Sequence, residues 1–177
     1  MALVTPVPGV YTATLNAVAL GITTSDGFKL KWRPARTQIN NTNLYGDTLI
    51  DGIHRGVTGV QLLATFKEWN AALQHAIWPW GAASPPTHDG TLGTIGRLVS
   101  DYAKALVLTA QAGSLAATKN AGGVPNANTF TASLAILAPE NDVEMLFGPV
   151  ETDVPVLFDL FLYDDAGTKR FFKWTSV

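Results

Sequence analysis

Between positions 43 and 80 the chain changes its hydrophobic period, and that change limits what it can fold into. Thr48-Leu49-Ile50-Asp51-Gly52-Ile53-His54 and the run 57–64 are rich in β-branched and aliphatic residues, with Gly56 between them as a turn. That is the composition of paired strands. Further on, Phe66, Trp69, Leu73 and Ile77 recur at spacings of three and four, which is one face of a helix. Thr65-Phe66-Lys67-Glu68 fits the capping-box pattern, in which the Thr65 hydroxyl accepts from the Glu68 amide and the Glu68 side chain reaches back to the Thr65 N–H. Lys67, Asn70, Gln74 and His75 take the other side, and Pro79 with Gly81 stops the run. The pattern predicts one amphipathic helix over about 65–78, laid against a sheet. Such a helix packs; it carries no chemistry of its own.

The rest of the chain reads as strands and loops. Pro6 and Pro8 keep residues 1–9 out of a central strand, so they form an extended arm. A strand is expected over 11–20, then a turn at Ser25-Asp26-Gly27. Residues 28–32 alternate strictly, with Phe28, Leu30 and Trp32 on one face and Lys29 and Lys31 on the other. Pro34 interrupts this strand, 36–40 resume it, and Asn40-Asn41-Thr42-Asn43 has loop chemistry. Two long loops follow at 81–98 and 112–128, lengths that in compact domains mark functional or interface segments. Strands are expected over 102–110, whose Ala and Leu content suits a helix as well, over 130–137 and 143–147 around Pro139-Glu140-Asn141-Asp142, and over 154–163. In the last, Val156, Phe158, Leu160 and Leu162 share one face, and the other is apolar enough to be covered too. Asp164-Asp165-Ala166-Gly167 turns the chain into a final strand at 169–174. The expectation is a single domain over 1–177, mainly β: a β-sandwich or barrel-like pair of packed sheets flanked by one α-helix.

Composition narrows the function classes. Charged residues are 15% of the chain, against about 25% in soluble domains; a chain so poor in charge either hides surface in partners, the favoured reading, or is unusually apolar outside. Zero cysteines leave no disulfide scaffold, thiolate metal site or Cys nucleophile, which suits synthesis in a reducing cytosol. No run approaches the roughly 18 apolar residues of a membrane-spanning helix, and the N-terminus lacks the basic and apolar regions of a signal peptide, so no membrane anchor is expected. His54, His75 and His88 fall on a strand, a helix and a loop. Asp51 and His54, three apart in a strand, point to opposite faces. His88-Asp89 lacks a nucleophile elbow, and Gly90, Gly93 and Gly96 form neither a dinucleotide fingerprint nor a P-loop. No catalytic residue, cofactor or metal is expected. Trp32 and Trp69 read as core or interface side chains, and Trp78 and Trp80 as a seal at the helix end. Lys29, Lys31, Arg33 and Arg36 make a small basic patch in a chain of net charge −2, weak for nucleic-acid binding. Residues 1–80 hold six Lys/Arg against four acids and the remainder six against ten, with Glu140, Asp142, Glu144, Glu151 and Asp153 close together.

With the chain laid out, Gly46-Asp47-Thr48-Leu49-Ile50-Asp51-Gly52-Ile53, then Arg55-Gly56, a second strand and Phe66-Lys67-Glu68-Trp69 resemble the tail tube proteins of long-tailed bacteriophages. The C-terminal part is similar as well: a hydrophobic strand with Pro155 near its start, an acidic turn and a last strand. The resemblance covers about 43–80 and 141–174 and is one of element order; the two long loops match no fixed pattern. It implies a β-sandwich flanked by a helix, shared with the type VI secretion tube protein, whose subunits join edge to edge into hexameric rings that stack into a hollow tube. The implied partners are copies of the chain and other phage tail proteins, with DNA in transit and not specifically bound, and the implied place is the virion tail after synthesis in the host cytoplasm. A lumen carrying DNA is best lined with acids that repel phosphate, and Glu140, Asp142, Glu144, Glu151 and Asp153 are the candidates; solvated acids on the outer wall are the alternative. Two other readings stand beside the tube subunit: a terminator or completion protein of the same fold, and a monomeric β-sandwich that binds a ligand such as a carbohydrate through Trp32, Trp78 or Trp80.

Overall fold

The computed structural model describes residues 11–21, 23–43, 46–68, 70–80, 90, 92–111, 127–144 and 153–176. In chain order the elements are β1 (Tyr11–Leu15), β2 (Val18–Ala19), β3 (Thr23–Asn43), β4 (Gly46–Phe66), α1 (Ala71–Ile77), a single 3-10 turn (Val99–Asp101), β5 (Lys104–Ala110), β6 (Ala127–Leu137), β7 (Val154–Leu160), β8 (Tyr163–Asp165), β9 (Thr168–Arg170) and β10 (Lys173–Ser176). The main sheet is antiparallel in the order β2-β1-β5-β6-β7-β4-β3. It forks at β6, whose one edge takes β7 along 135–137 and β10 along 127–131. Phe130 holds the fork, stacked on Phe172 at 5.0 Å and edge-on to Trp174 at 6.0 Å. The sheet curls until β1 approaches β3 but does not close into a barrel, and β8 and β9 form a separate hairpin. The mainly β expectation with one helix holds.

The core lies on the concave face, and period-2 alternation puts it there. Val60, Leu62, Ala64 and Phe66 of β4 and Val154, Val156, Phe158 and Leu160 of β7 all turn inward and are buried. β5 contributes Leu106 and Leu108, β1 contributes Ala13 and Leu15, and Leu73, Ala76 and Ile77 of α1 close the same cluster. One register shift keeps β6 in the pattern. Lys104 faces Ala135 while Leu106 faces Ala132, so β6 carries one extra residue, and Ala132 and Ala135 both turn inward although they differ in parity. Each large side chain removed from water in this way stabilises the fold by roughly 1.5–3 kcal/mol.

Several local expectations need correction. The helix does not begin at 65. Thr65 and Phe66 remain in β4, facing Pro155 and Val154 of β7, because Phe66 also continues the 60-62-64 alternation and its burial there is complete. Thr65 and Glu68 therefore make no capping box. Asn70 caps the helix, its Oδ1 accepting from the Leu73 N–H at 2.8 Å. Leu73 and Ile77 do face the core as expected, Phe66 reaches it from the strand, and Trp69 lies outside the described residues. Gly56 and Asn40-Asn41-Thr42-Asn43 are not turn or loop: they belong to β4 and β3, which pair from Thr23↔Phe66 to Asn43↔Gly46. Ser25-Asp26-Gly27 is absorbed in an irregular stretch of β3, where the six residues 23–28 span three of β4. The 11–20 strand folds back at Asn16 and Ala17, both at positive φ, to give β1 and β2. The strand expected from 102 begins at Lys104 behind the 3-10 turn. That expected over 154–163 ends at Leu160, leaving Leu162 exposed and the 157-159-161 face half-buried. Residues 169–174 divide between β9 and β10, and Val143 and Glu144 carry no strand. The arm at 1–9, most of both long loops and residues 145–152 lie outside the described residues.

Candidate assembly surface

The longest hairpin of the molecule is only half supported. β7 pairs with β4 from Val60 to Phe66, so residues 46–59 and their β3 partners continue as a two-stranded ribbon. At roughly 3.3 Å per residue the ribbon projects on the order of 40 Å. Its base is marked by two irregularities. Between Arg33↔Gly59 and Pro34↔Val57, and again before Arg36↔His54, β4 carries an extra residue, and Gly56 takes φ 90° with open space where a side chain would stand. Bulges of this kind bend and twist a hairpin. Pro34 is tolerated because β3 is an edge strand.

Both faces of the ribbon carry charged and polar residues, and one of them also carries two isoleucines. Register places Thr37 opposite Ile53 and Ile39 opposite Asp51, so Ile39 and Ile53 are diagonal neighbours on one face; they are 42% and 52% exposed. Arg55 on that face donates from Nε to the Thr37 Oγ1 at 2.8 Å. The other face carries Arg36 opposite His54 and Gln38 opposite Gly52. Along its whole length β3 has β4 as its sole strand neighbour among the described residues, and β2 ends the sheet on the other side. On β1, next to that edge, burial raises the pKa of the Tyr11 hydroxyl above its ordinary value.

A second apolar surface precedes β5. Leu92, Ile95, Leu98 and Val99 are all exposed, Ile95 to 84%, within eight residues. The segment is nevertheless built in detail. The Tyr102 hydroxyl accepts from the Thr94 N–H at 2.9 Å, Arg97 pairs with Asp101 at 3.2 Å, and the Arg97 guanidinium lies over the Tyr102 ring. Gly93 has φ 64°, and a Cβ there would come within 2.9 Å of the Tyr102 Oη and 3.0 Å of the Trp80 carbonyl. Only glycine fits.

Ribbon and ledge lie at opposite ends of the sheet. Val60, Leu160, Ala135 and Lys104 form one row across β4, β7, β6 and β5. Because neighbouring strands are antiparallel, the ribbon leaves this row in one direction and the segment before β5 leaves it in the other. The acidic turn lies at the ledge end. Glu140, Asp142 and Glu144 are exposed after β6, and Asp153 is exposed before β7. An Asn141 Nδ2–Pro155 carbonyl hydrogen bond of 3.4 Å draws the two segments together. Glu151 lies outside the described residues.

A groove with a cavity volume of about 970 Å³ runs beside β3, lined among others by Lys31, Trp32, Arg33, Glu140, Phe161 and Phe171. Gln61 donates to Asp159 within it at 2.9 Å. Trp32 is exposed and not in the core; Trp78, also exposed, meets Trp80 edge-on at 5.8 Å. His54 lies on the ribbon and His75 on α1, apart from each other. Among the described residues no three His, Asp or Glu side chains gather where a metal could sit, and no helix is long and apolar enough to cross a membrane. The exposed Ile39, Ile53 and Ile95 were not singled out in the sequence; an isoleucine in a strand or loop looks the same whether a neighbour covers it or not.

No protein-family profile matches the chain, and no curated protein does. Among solved structures it is similar to a chain of the anti-feeding prophage cap, the tube-terminating cap, with a TM-score of 0.47 and 10% identity over 100% of this chain and 95% of that one. It is also similar to a chain of the sheath–tube complex of the PVC extracellular contractile injection system in its extended state, with a TM-score of 0.46 and 7% identity over 99% and 95%.

Proposed function

We propose that this chain is a structural subunit of a bacteriophage-type tail tube, assembling with copies of itself and with other tail proteins. Its sheet edges join neighbours into rings, six to a ring in the arrangement the family resemblance implies, and the rings stack into a conduit through which DNA leaves without being specifically bound. The observation that carries this reading is the β3–β4 ribbon. A two-stranded ribbon is marginal in water by itself, and a long exposed edge is an aggregation hazard unless something pairs with it. Burying that edge against a neighbouring subunit resolves both, and suits a chain with so few charges. The role assigned is architectural, with no catalytic step.

Within this reading some of the acids Glu140, Asp142, Glu144, Glu151 and Asp153 line the lumen, where they repel phosphate over a distance set by salt screening. Electron microscopy of the purified protein tests the main proposal. Long striated tubes are the expected result, and single rings would favour a tail terminator or completion protein. Monodisperse monomers at all concentrations would overturn assembly and favour a ligand-binding role for the Trp32 groove. The lumen assignment fails if an assembled tube places these carboxylates on the outer wall.

A further inference from the structure

We infer that Asp51–Gly52 is a modification site, at which the free subunit rearranges its own backbone to isoaspartate. The sequence holds three Asp-Gly pairs, at 26–27, 51–52 and 89–90, and glycine, having no Cβ, leaves the nitrogen after an aspartate unshielded. The fold singles out the middle pair. The Gly52 N–H donates to the Asp51 Oδ1 at 2.7 Å, so nitrogen and carboxyl are in contact before any reaction, the proximity that makes a ring closure fast. Asp51 is exposed and Gly52 half-buried. The backbone beside them is irregular: Ile39 faces Asp51 while Asn40 faces Leu49, which leaves Ile50 as an extra residue of β4 with none opposite. β7 reaches only to Val60, and a two-stranded ribbon opens locally at small cost. Asp51 thus has the freedom that ring closure needs.

The reaction needs only water. The Gly52 nitrogen attacks the Asp51 Cγ, the new N–C bond closes a five-membered imide, and one carboxyl oxygen leaves as water with the amide proton and a proton from solvent. Water then adds to either imide carbonyl. Opening at Cγ restores aspartate. Opening at the Asp51 backbone carbonyl leaves the chain running through the side chain, with one more CH2 in the backbone and a free α-carboxylate. The added carbon falls beside the extra residue at Ile50, so the ladder from Asn40↔Leu49 to Asn43↔Gly46 shifts against the rest of β3. The pairing of 60–66 with β7 keeps its register. This inference concerns the subunit before assembly and does not rest on the tube reading.

The test is to hold the purified full chain at neutral pH and physiological temperature and map its peptides by mass spectrometry. Electron-transfer fragmentation separates isoaspartate from aspartate. Isoaspartate is expected at Asp51 in the folded chain at a rate equal to or above that of the same pair in the urea-unfolded chain. A folded rate below the unfolded one would overturn the inference, because the native contact would then hinder closure. Gly52→Ala is expected to slow the conversion roughly tenfold, since a Cβ crowds the attacking nitrogen. The added methyl has ordinary room, 3.4 Å from the Arg36 Cδ and the Thr37 carbonyl. Asp51→Glu, whose longer side chain closes no five-membered ring, is expected to abolish the conversion while circular dichroism stays that of the wild type. Isoaspartate that persists unchanged between 37 and 55 in either variant would overturn the assignment, and whether tubes form has no bearing on that outcome.

Discussion

The two halves of β4 come from one strand of one sheet, yet they obey different rules. From Val60 to Phe66 every second side chain is buried, and β3 and β7 pair on either side. From Gly46 to Gly59 the strand has β3 alone, and Ile53 stands half in water. The inner half is the more apolar, with Val60, Leu62, Leu63, Ala64 and Phe66, but β-branched residues occur in both halves, so strand preference alone does not separate them. Position does: residues 60–66 lie beside β7 and in the core cluster that α1 joins, and residues 46–59 have run past β7. A strand that still presents an exposed isoleucine, Ile53, after leaving its own core has apolar surface to offer a neighbour. That difference supports the assembly proposal, and three substitutions probe it.

The largest effect is expected at Phe66, where the packed half ends. Phe66→Ala would remove a fully buried ring that meets Phe28 edge-on at 6.5 Å, and such truncations cost about 3–5 kcal/mol. Chemical denaturation of the isolated subunit measures it. A loss below about 1 kcal/mol would mean that the inner half is not the stabilising half, and the comparison would collapse.

Phe66 also shows how far the sequence could be read. Its spacing to Trp69 and Leu73 fits a helix, and its spacing to Leu62 and Ala64 fits a strand. Seven residues of strand alternation, held by ladders on both sides, outweighed one apparent capping box. Leu73 and Ile77 were legible as a buried helical face because only α1 offers them a period. Asn70 was not legible as the cap: it fell inside the expected helix, on its polar side. The acids Glu140, Asp142 and Asp153 could be listed from sequence, but their gathering at one end depends on the β6–β7 register. β4 was read as two strands with a turn at Gly56, because glycine between apolar runs signals a turn as readily as a bulge. Most of the extended stretches were therefore legible, and where each strand begins and ends, or outruns the core, was not.

Gly56 sits at the boundary between the halves, and its substitution is expected to act on the outer one. At φ 90° with nothing within reach of an added Cβ, Gly56→Ala meets no clash but does meet the left-handed backbone penalty of about 1–2 kcal/mol. The ribbon can fray without opening the core, so the cost should appear as faster amide exchange at 36–43 and 46–55. Global unfolding should move much less. Equal effects on both would join the ribbon to the core as one cooperative unit and erase the boundary.

The smallest effect is expected at Ile53, and its smallness is the point. Ile53→Ser changes a side chain already half in water, with no buried partner to lose, so the isolated subunit should change in stability by no more than about 0.5 kcal/mol. In the assembled protein the same change removes apolar surface from a contact, and the tubes should come apart at lower denaturant or after less dilution than wild type. Measuring both on one preparation separates the strand's two roles. A subunit that loses several kcal/mol would place Ile53 in a core of its own molecule. Tubes no weaker than wild type would mean that the ribbon's apolar face serves neither. The isoleucine was kept through a polar ribbon for a reason its own subunit does not supply, and only the assembled measurement can register it.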